Sequence, residues 1–89
     1  MRDENKNILN VVIKFESIIR TNESFFFDVD DFEDIILYYF NDANYSLAEK
    51  ALFYALKLYP HNININILNS ELLIINNQII KADIIIDEF

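Results

Sequence analysis

The sequence contains no glycine and only one proline, Pro60. Tight β-hairpins usually need glycine at positive φ, and loops that hold phosphates or dinucleotides need it as well. The missing glycine therefore disfavours hairpin-rich sheets and nucleotide-binding folds. It favours helices joined by short turns, in which asparagine can take the left-handed backbone positions.

The composition indicates one small folded domain with a thin core. The chain has 89 residues, 53% of them hydrophobic and 15% aromatic, which is too apolar for a disordered chain. A domain of this size buries only roughly 60–65% of its unfolded surface. Apolar surface that remains exposed usually marks an interface.

Charge and cysteine content narrow the possible partners and the compartment. The net charge of −8 disfavours nucleic acid and anionic membranes as partners and permits a basic protein partner. The chain has no cysteine, which excludes disulfides and thiolate metal sites. The N-terminal segment "MRDENKNILN" is not a secretory signal, and no apolar run approaches the roughly 20 residues of a membrane helix. We expect a cytoplasmic protein.

Apolar residues at three- and four-residue spacing predict three helices before Pro60. The first covers about residues 6–20. The second opens at Asp28, with Asp28 or Asp30 as its N-cap. The third begins at Ser46, which forms an S-x-x-E capping box with Glu49, and ends before Pro60.

The stretch "HNININILNS", His61 to Ser70, is ambiguous when taken alone. Its first residues alternate polar and apolar, which is the pattern of a half-buried strand. Read as a helix, the same region places Ile63, Ile67 and Ile74 on one side. The following residues break the alternation, so the local pattern favours a helix without deciding the question.

An internal repeat decides it. Ala48 and Ala82 lie 34 residues apart, the period of a helix–turn–helix repeat. The unit around Ala48 reads Phe32-x₂-Ile35-Ile36-x₂-Tyr39, Ala48-x₃-Leu52, Ala55 and Pro60. These spacings match W-x₂-L-G-x₂-Y…A-x₃-F…P, so the chain resembles the tetratricopeptide repeat family. The match is good over residues 29–62 and weaker over 63–89, where only Leu73, Ala82 and Ile86 keep the pattern.

This resemblance implies an all-α fold of about five antiparallel helices, stacked as a short right-handed solenoid. Residues 1–27 would form an N-terminal helix and its connection, residues 28–62 a first unit, and residues 63–89 an incomplete second unit, all in one domain. A break at Asn76–Gln78 would divide the second unit into two helices, and "NININILNS" would belong to the first of them.

The resemblance also implies a non-enzymatic protein-interaction module, since the family binds peptides or helices of its partners in a groove lined by the first helix of each unit. Because the matching face is acidic and apolar here, we expect a basic-apolar partner. The face could instead serve only for packing. By register, the groove residues are Asp30, Glu33, Leu37, Phe40, Asn41, Asn64, Ile67, Glu71, Ile74 and Ile75.

Two other functions remain open. The apolar C-terminal residues Ile84, Ile85, Ile86 and Phe89 could form a homo-oligomer, since repeat arrays normally end in a polar cap. The chain could also be a small acidic inhibitor that occupies a basic site on its target. Changes at Leu37 or Phe40 should abolish groove binding, whereas an acidic inhibitor should show steep salt dependence.

The remaining polar motifs predict no catalytic, cofactor or metal site. The acidic cluster from Asp28 to Asp34 lacks the glycine of an EF-hand loop, and helix capping explains it better. His61 is the only histidine and has no partner set for catalysis. The glycosylation patterns at Asn22 and Asn44 need a secretory route, which the sequence does not indicate.

Overall fold

The structure is a computed structural model that describes the backbone of residues 4–22 and 26–87 and the side chains of residues 8–22 and 26–78. Within these residues the chain forms four helices and no strand: α1 (Glu4–Thr21), α2 (Val29–Asn41), α3 (Tyr45–Leu58) and α4 (Ile63–Asp87). The predicted all-α class is confirmed. No helix in the described part of the chain is long and apolar enough to cross a membrane.

The ambiguous stretch after Pro60 is helical. Asn62 caps α4, because its Oδ1 accepts a hydrogen bond of 3.0 Å from the backbone N–H of Ile65. The Asn66 side chain donates to the carbonyl oxygens of Asn62 and Pro60, at 2.8 and 3.0 Å. The asparagines that gave the stretch its strand-like alternation therefore help to start the helix.

The starts of α2 and α3 are fixed by side-chain caps, one as predicted and one not. Asp28 caps α2, since its Oδ1 accepts from the N–H of Asp31 at 2.9 Å. The prediction of a capping box at Ser46 is wrong: α3 begins at Tyr45, and Asn44 Oδ1 accepts from the N–H of Leu47 at 3.3 Å. Asparagine and serine cap helices about equally well, so the sequence alone did not favour the earlier residue.

The prediction of five helices is wrong for the described residues, because α4 continues without a break from Ile63 to Asp87. The turns before α2 and before α3 each contain a residue at positive φ, Asn22 (60°) and Ala43 (55°). The segment Asn76–Gln78 contains neither glycine nor proline. Asparagine and glutamine in a helix interior each cost well under about 1 kcal/mol, which is too little to end a helix.

The four helices share one core. α2 packs on α1 and α3, and α4 packs on α3 and α2. Small residues of α3, Ala48, Ala51 and Ala55, are fully buried and allow the neighbouring helices to approach closely. The largest fully buried side chains are Phe15, Phe32, Ile35, Ile36, Tyr39, Leu52 and Ile65.

Two tyrosine hydroxyl groups tie the helices and loops together. Tyr39 of α2 donates a hydrogen bond of 2.7 Å to Glu16 Oε2 of α1. Tyr59, which follows α3, donates at 2.9 Å to the carbonyl oxygen of Phe27 in the connection before α2. These bonds give both hydroxyl groups a partner and fix α1 and the connection relative to α2 and α3.

Candidate partner-binding surface

The outer face of α2 carries the first half of the predicted groove. Asp30, Leu37 and Asn41 are exposed, while Glu33 and Phe40 are half-buried at the edges of this face. The face lies opposite the residues that α2 buries, namely Phe32, Ile35, Ile36 and Tyr39. The structure therefore presents the α2 half of the predicted set to solvent on one side of one helix.

Part of this face borders an open depression between α1 and α2. The depression has a volume of about 440 Å³ and is lined by Ile8, Leu9, Asp34, Leu37, Tyr38 and Asn41. Leu9 and Leu37 remain 47% and 44% exposed. The bond from Tyr39 to Glu16 joins the same two helices and so fixes the two walls relative to each other. The result is an apolar floor with a carboxylate and an amide on its rim.

Sequence reasoning assigned no role to the α1 wall of this depression. Leu9 stands outside the stripe of Ile8, Val12 and Phe15 that α1 turns toward the core. A single exposed apolar residue is normal on a protein surface, so Leu9 gave no signal in the sequence before its place beside Leu37 was known. The repeat register missed it because α1 precedes the first matching unit.

The electrostatics of α2 are strongly acidic. Residues 28–42 contain six carboxylates and no basic residue. Burial raises the pKa of Asp31, and the neighbouring charges of Asp28, Asp34 and Asp30 raise it further. The carboxylates thus repel one another in the free protein, and a basic partner would relieve that repulsion.

The α4 half of the predicted set is exposed but differs in character. Asn64, Ile67, Glu71 and Ile74 all face solvent, and Ile75 is partly buried. Glu71 is the single charged residue among residues 63–78. None of these side chains lines the depression between α1 and α2, so the structure does not bring the α4 residues together with Leu37 and Asn41 there.

The last residues singled out in the sequence are the C-terminal apolar residues and His61. Ile84, Ile85, Ile86 and Phe89, proposed for self-association, lie outside the residues whose side chains the structure describes. His61 is exposed in the turn after Pro60. Over the described part of the chain, no group of three or more His, Asp or Glu side chains could hold a metal ion.

Comparison with known proteins gives no relative. No protein-family model, no curated protein and no solved structure matches this chain. We therefore infer its function from its own residues and from the repeat spacing.

Proposed function

We propose that this chain is a non-enzymatic interaction module of the tetratricopeptide type, which binds a basic-apolar peptide or helix of a partner protein. The observation that carries the proposal is the pair of exposed leucines, Leu9 and Leu37, in the depression between α1 and α2. They supply the apolar contact that such a partner needs, and the carboxylate of Asp34 lies beside them on the rim of the depression.

The arrangement of helices supports the repeat assignment. Stacked helical repeats contact their neighbours in order, and α4 packs on both helices of the unit formed by α2 and α3. The residues at the repeat's signature positions, Phe32, Tyr39, Ala48, Leu52 and Ala55, are buried. We propose a short solenoid in which the long helix α4 takes the place of a second two-helix unit.

The carboxylates and the leucines have different roles in this proposal. Asp30, Glu33 and Asp34 attract a basic partner and orient it, since charges outside a buried contact mainly affect association rate and specificity. Leu37 and Leu9 supply affinity by losing apolar surface to the partner. Phe40 packs beside Tyr45, with ring centroids 6.3 Å apart, and shapes the end of the surface.

A defined peptide tests this function. The probe is a fluorescent amphipathic helix of leucine and lysine, about 18 residues or five turns long, and its control has glutamate in place of each lysine. We expect saturable binding of the lysine peptide, measured by fluorescence anisotropy. Leu37→Ser should weaken it by about tenfold, as for loss of about 1.4 kcal/mol. The matched control is Phe53→Ser, which changes an exposed apolar residue of α3.

The outcomes separate the proposal from its alternatives. Equal binding of both peptides, or equal effects of Leu37→Ser and Phe53→Ser, contradicts the proposed surface. If Leu37→Ser has no effect and binding falls steeply with salt, the result favours the acidic-inhibitor alternative, because charge then supplies nearly all of the affinity.

A further inference from the structure

Helix α4 has apolar residues on two opposite faces, and among its described side chains, residues 63–78, only one of these faces is covered. Ile65, Leu68 and Leu72 are buried against the other helices. Ile63, Ile67 and Ile74 lie within an arc of roughly 40° on the opposite side, given 3.6 residues per turn. Their side chains are 74%, 50% and 58% exposed. We call Ile63, Ile67, Ser70 and Ile74 the outer stripe of α4.

The spacing of the outer stripe fits helix pairing. Residues 63, 67, 70 and 74 follow steps of four, three and four, which is the repeat of a coiled-coil seam. Two helices that carry the same seam can pack with each other along their length. The small side chain of Ser70, near the middle of the stripe, permits a close approach of two backbones there.

The charge distribution indicates which molecule covers the outer stripe of α4. The whole chain carries a net charge of −8, but Glu71 is the only charged residue among residues 63–78. Two copies of the chain repel each other least where this uncharged surface meets itself. A basic partner would instead be attracted to the six carboxylates of residues 28–42, which lie on α2 and at its two caps.

The length of α4 gives a second argument. It has 25 residues, against 13 in α2 and 14 in α3, so at about 1.5 Å per residue it is nearly twice as long as either neighbour. Leu72 is the last buried residue among its described side chains, and Leu73 and Ile74 are exposed. Helices in water depend on packing for most of their stability, and a second α4 would supply it.

We propose that the outer stripe of α4 binds the same stripe of a second copy, so that the protein forms a symmetric dimer with α4 packed on α4. A twofold interface of this kind uses one surface of each copy. It shares no residue with the depression between α1 and α2. The dimer therefore leaves the proposed partner-binding surface free, and each proposal can fail without the other.

Sedimentation of the full chain tests the dimer. We expect a monomer–dimer equilibrium that Ile67→Asp weakens by about 30-fold or more, the size of a central interface residue. Phe53→Asp is the matched control, because it places the same charge at an equally exposed residue of α3; we expect less than about threefold change. If Ile67→Asp unfolds, as judged by circular dichroism, Ile67→Ser replaces it.

A cross-link tests the geometry. The chain has no cysteine, so a single introduced cysteine reports one position. Ser70→Cys should give a covalent dimer on mild oxidation, because a seam residue near the twofold axis faces its copy within disulfide reach. Ser46→Cys, exposed on α3, should cross-link far more slowly.

Two results would overturn the proposal. One is a chain that stays monomeric up to about 1 mM, because the dissociation constant of the proposed dimer would then exceed about 1 mM. The other is a dimer with an unchanged dissociation constant in Ile67→Asp, or one that cross-links as fast through Ser46→Cys as through Ser70→Cys. If Ile67→Asp still binds the lysine peptide, peptide binding does not depend on the dimer, and the proposed function is tested independently of it.

Discussion

Helices α2 and α4 pack on the same partner, α3, yet turn very different surfaces to solvent. α2 has exposed or half-buried carboxylates at Asp30, Asp31, Glu33 and Asp34 around the single exposed leucine Leu37. α4 has exposed isoleucines between asparagines, with one carboxylate, Glu71, among its described side chains. The inner faces are equally apolar, so the fold requires nothing different from the two helices. In our two proposals the outer faces differ because α2 binds a basic partner and α4 binds a second copy of the chain.

The comparison suggests that charge assigns the surfaces in this small domain. In this account apolar residues supply affinity at both proposed surfaces, because burial of apolar area is non-directional. The carboxylates would determine which partner binds, since they attract a basic partner and repel a second copy of an acidic chain. Because the protein has a net charge of −8, electrostatic repulsion between two copies is smallest where their uncharged surfaces meet.

The largest expected effect separates the two faces of α4. Ile65 is fully buried and Ile67 is 50% exposed. Ile65→Ala should lower the free energy of unfolding by about 2–5 kcal/mol, because it leaves a cavity. Ile67→Ala should lower it by less than about 0.5 kcal/mol. Urea unfolding at low protein concentration, where the dimer is dissociated, measures both, and similar losses would contradict the assignment of the faces.

The next effect concerns the bond that joins the acidic helix α2 to α1. Tyr39→Phe removes the hydroxyl that donates to Glu16, and we expect a loss of about 1 kcal/mol at neutral pH. Tyr38→Phe, one residue earlier, is the matched control. Thermal or urea unfolding measures both, and a double change with Glu16→Gln should show that the two effects are not additive.

This bond should also weaken at alkaline pH. Burial raises the pKa of Tyr39, and the hydrogen bond to Glu16 and its charge raise it further. A raised pKa means that the neutral hydroxyl stabilises the fold fully below the unfolded pKa of about 10. The contribution is lost as the pH rises through the folded pKa. The stability difference between the unchanged chain and Tyr39→Phe should shrink above about pH 10; a constant difference would contradict the account.

A smaller effect is expected when the N-caps of α2 and α4 are removed. Asn62→Ala removes the cap of α4 and should cost about 1 kcal/mol. Asp28→Ala removes the cap of α2 and should cost about half as much, because it also removes a charge that repels Asp31. Melting temperatures of the two variants test this, and added salt should narrow the gap, because it screens the repulsion whose loss partly offsets the cost of Asp28→Ala. A larger cost for Asp28→Ala would show that the carboxylates of α2 repel one another little.

The smallest effect comes from Asp31 itself. Asp31→Asn should raise the free energy of unfolding at pH 7 by about 0.3 kcal/mol, the scale of one like-charge pair on a helix. Because the folded pKa of Asp31 is raised, its ionisation destabilises the fold. The advantage of Asp31→Asn should therefore disappear as the pH falls through that pKa. Thermal unfolding between neutral and acidic pH measures it, and an advantage that grows in acid would contradict the sign.

Much of the fold could be predicted from the sequence because its helices carry strong three- and four-residue spacing. The residues at the repeat positions Phe32, Ile35, Ile36 and Tyr39 are the ones that α2 buries, and Asp28, one of the two predicted candidates, is its cap. The helical state of the stretch after Pro60 also followed, although its alternation pointed to a strand. The repeat register supplied information that the local pattern did not contain.

The errors have physical causes. The prediction of a break at Asn76–Gln78 was wrong because those residues only mildly disfavour a helix. The repeat register of a family does not by itself end a helix. The cap of α3 was missed because Asn44 and Ser46 cap about equally well. For the candidate surface, Leu37 and Asn41, which the register assigned to the groove, are both exposed, and their role there stays a prediction. The register could not foresee Leu9, since contact between α1 and α2 depends on tertiary packing.

One measurement tests most directly the account in which α2 binds a basic partner and α4 binds a second copy. It is sedimentation velocity of the full chain with the labelled lysine–leucine peptide, at about 50 mM and about 500 mM NaCl. This change in salt alters the screening length several-fold. We predict that salt weakens peptide binding and strengthens the dimer, because it screens an attraction in the first case and a repulsion in the second. Movement of both equilibria in the same direction, or dissociation of the dimer by the peptide, would contradict the account.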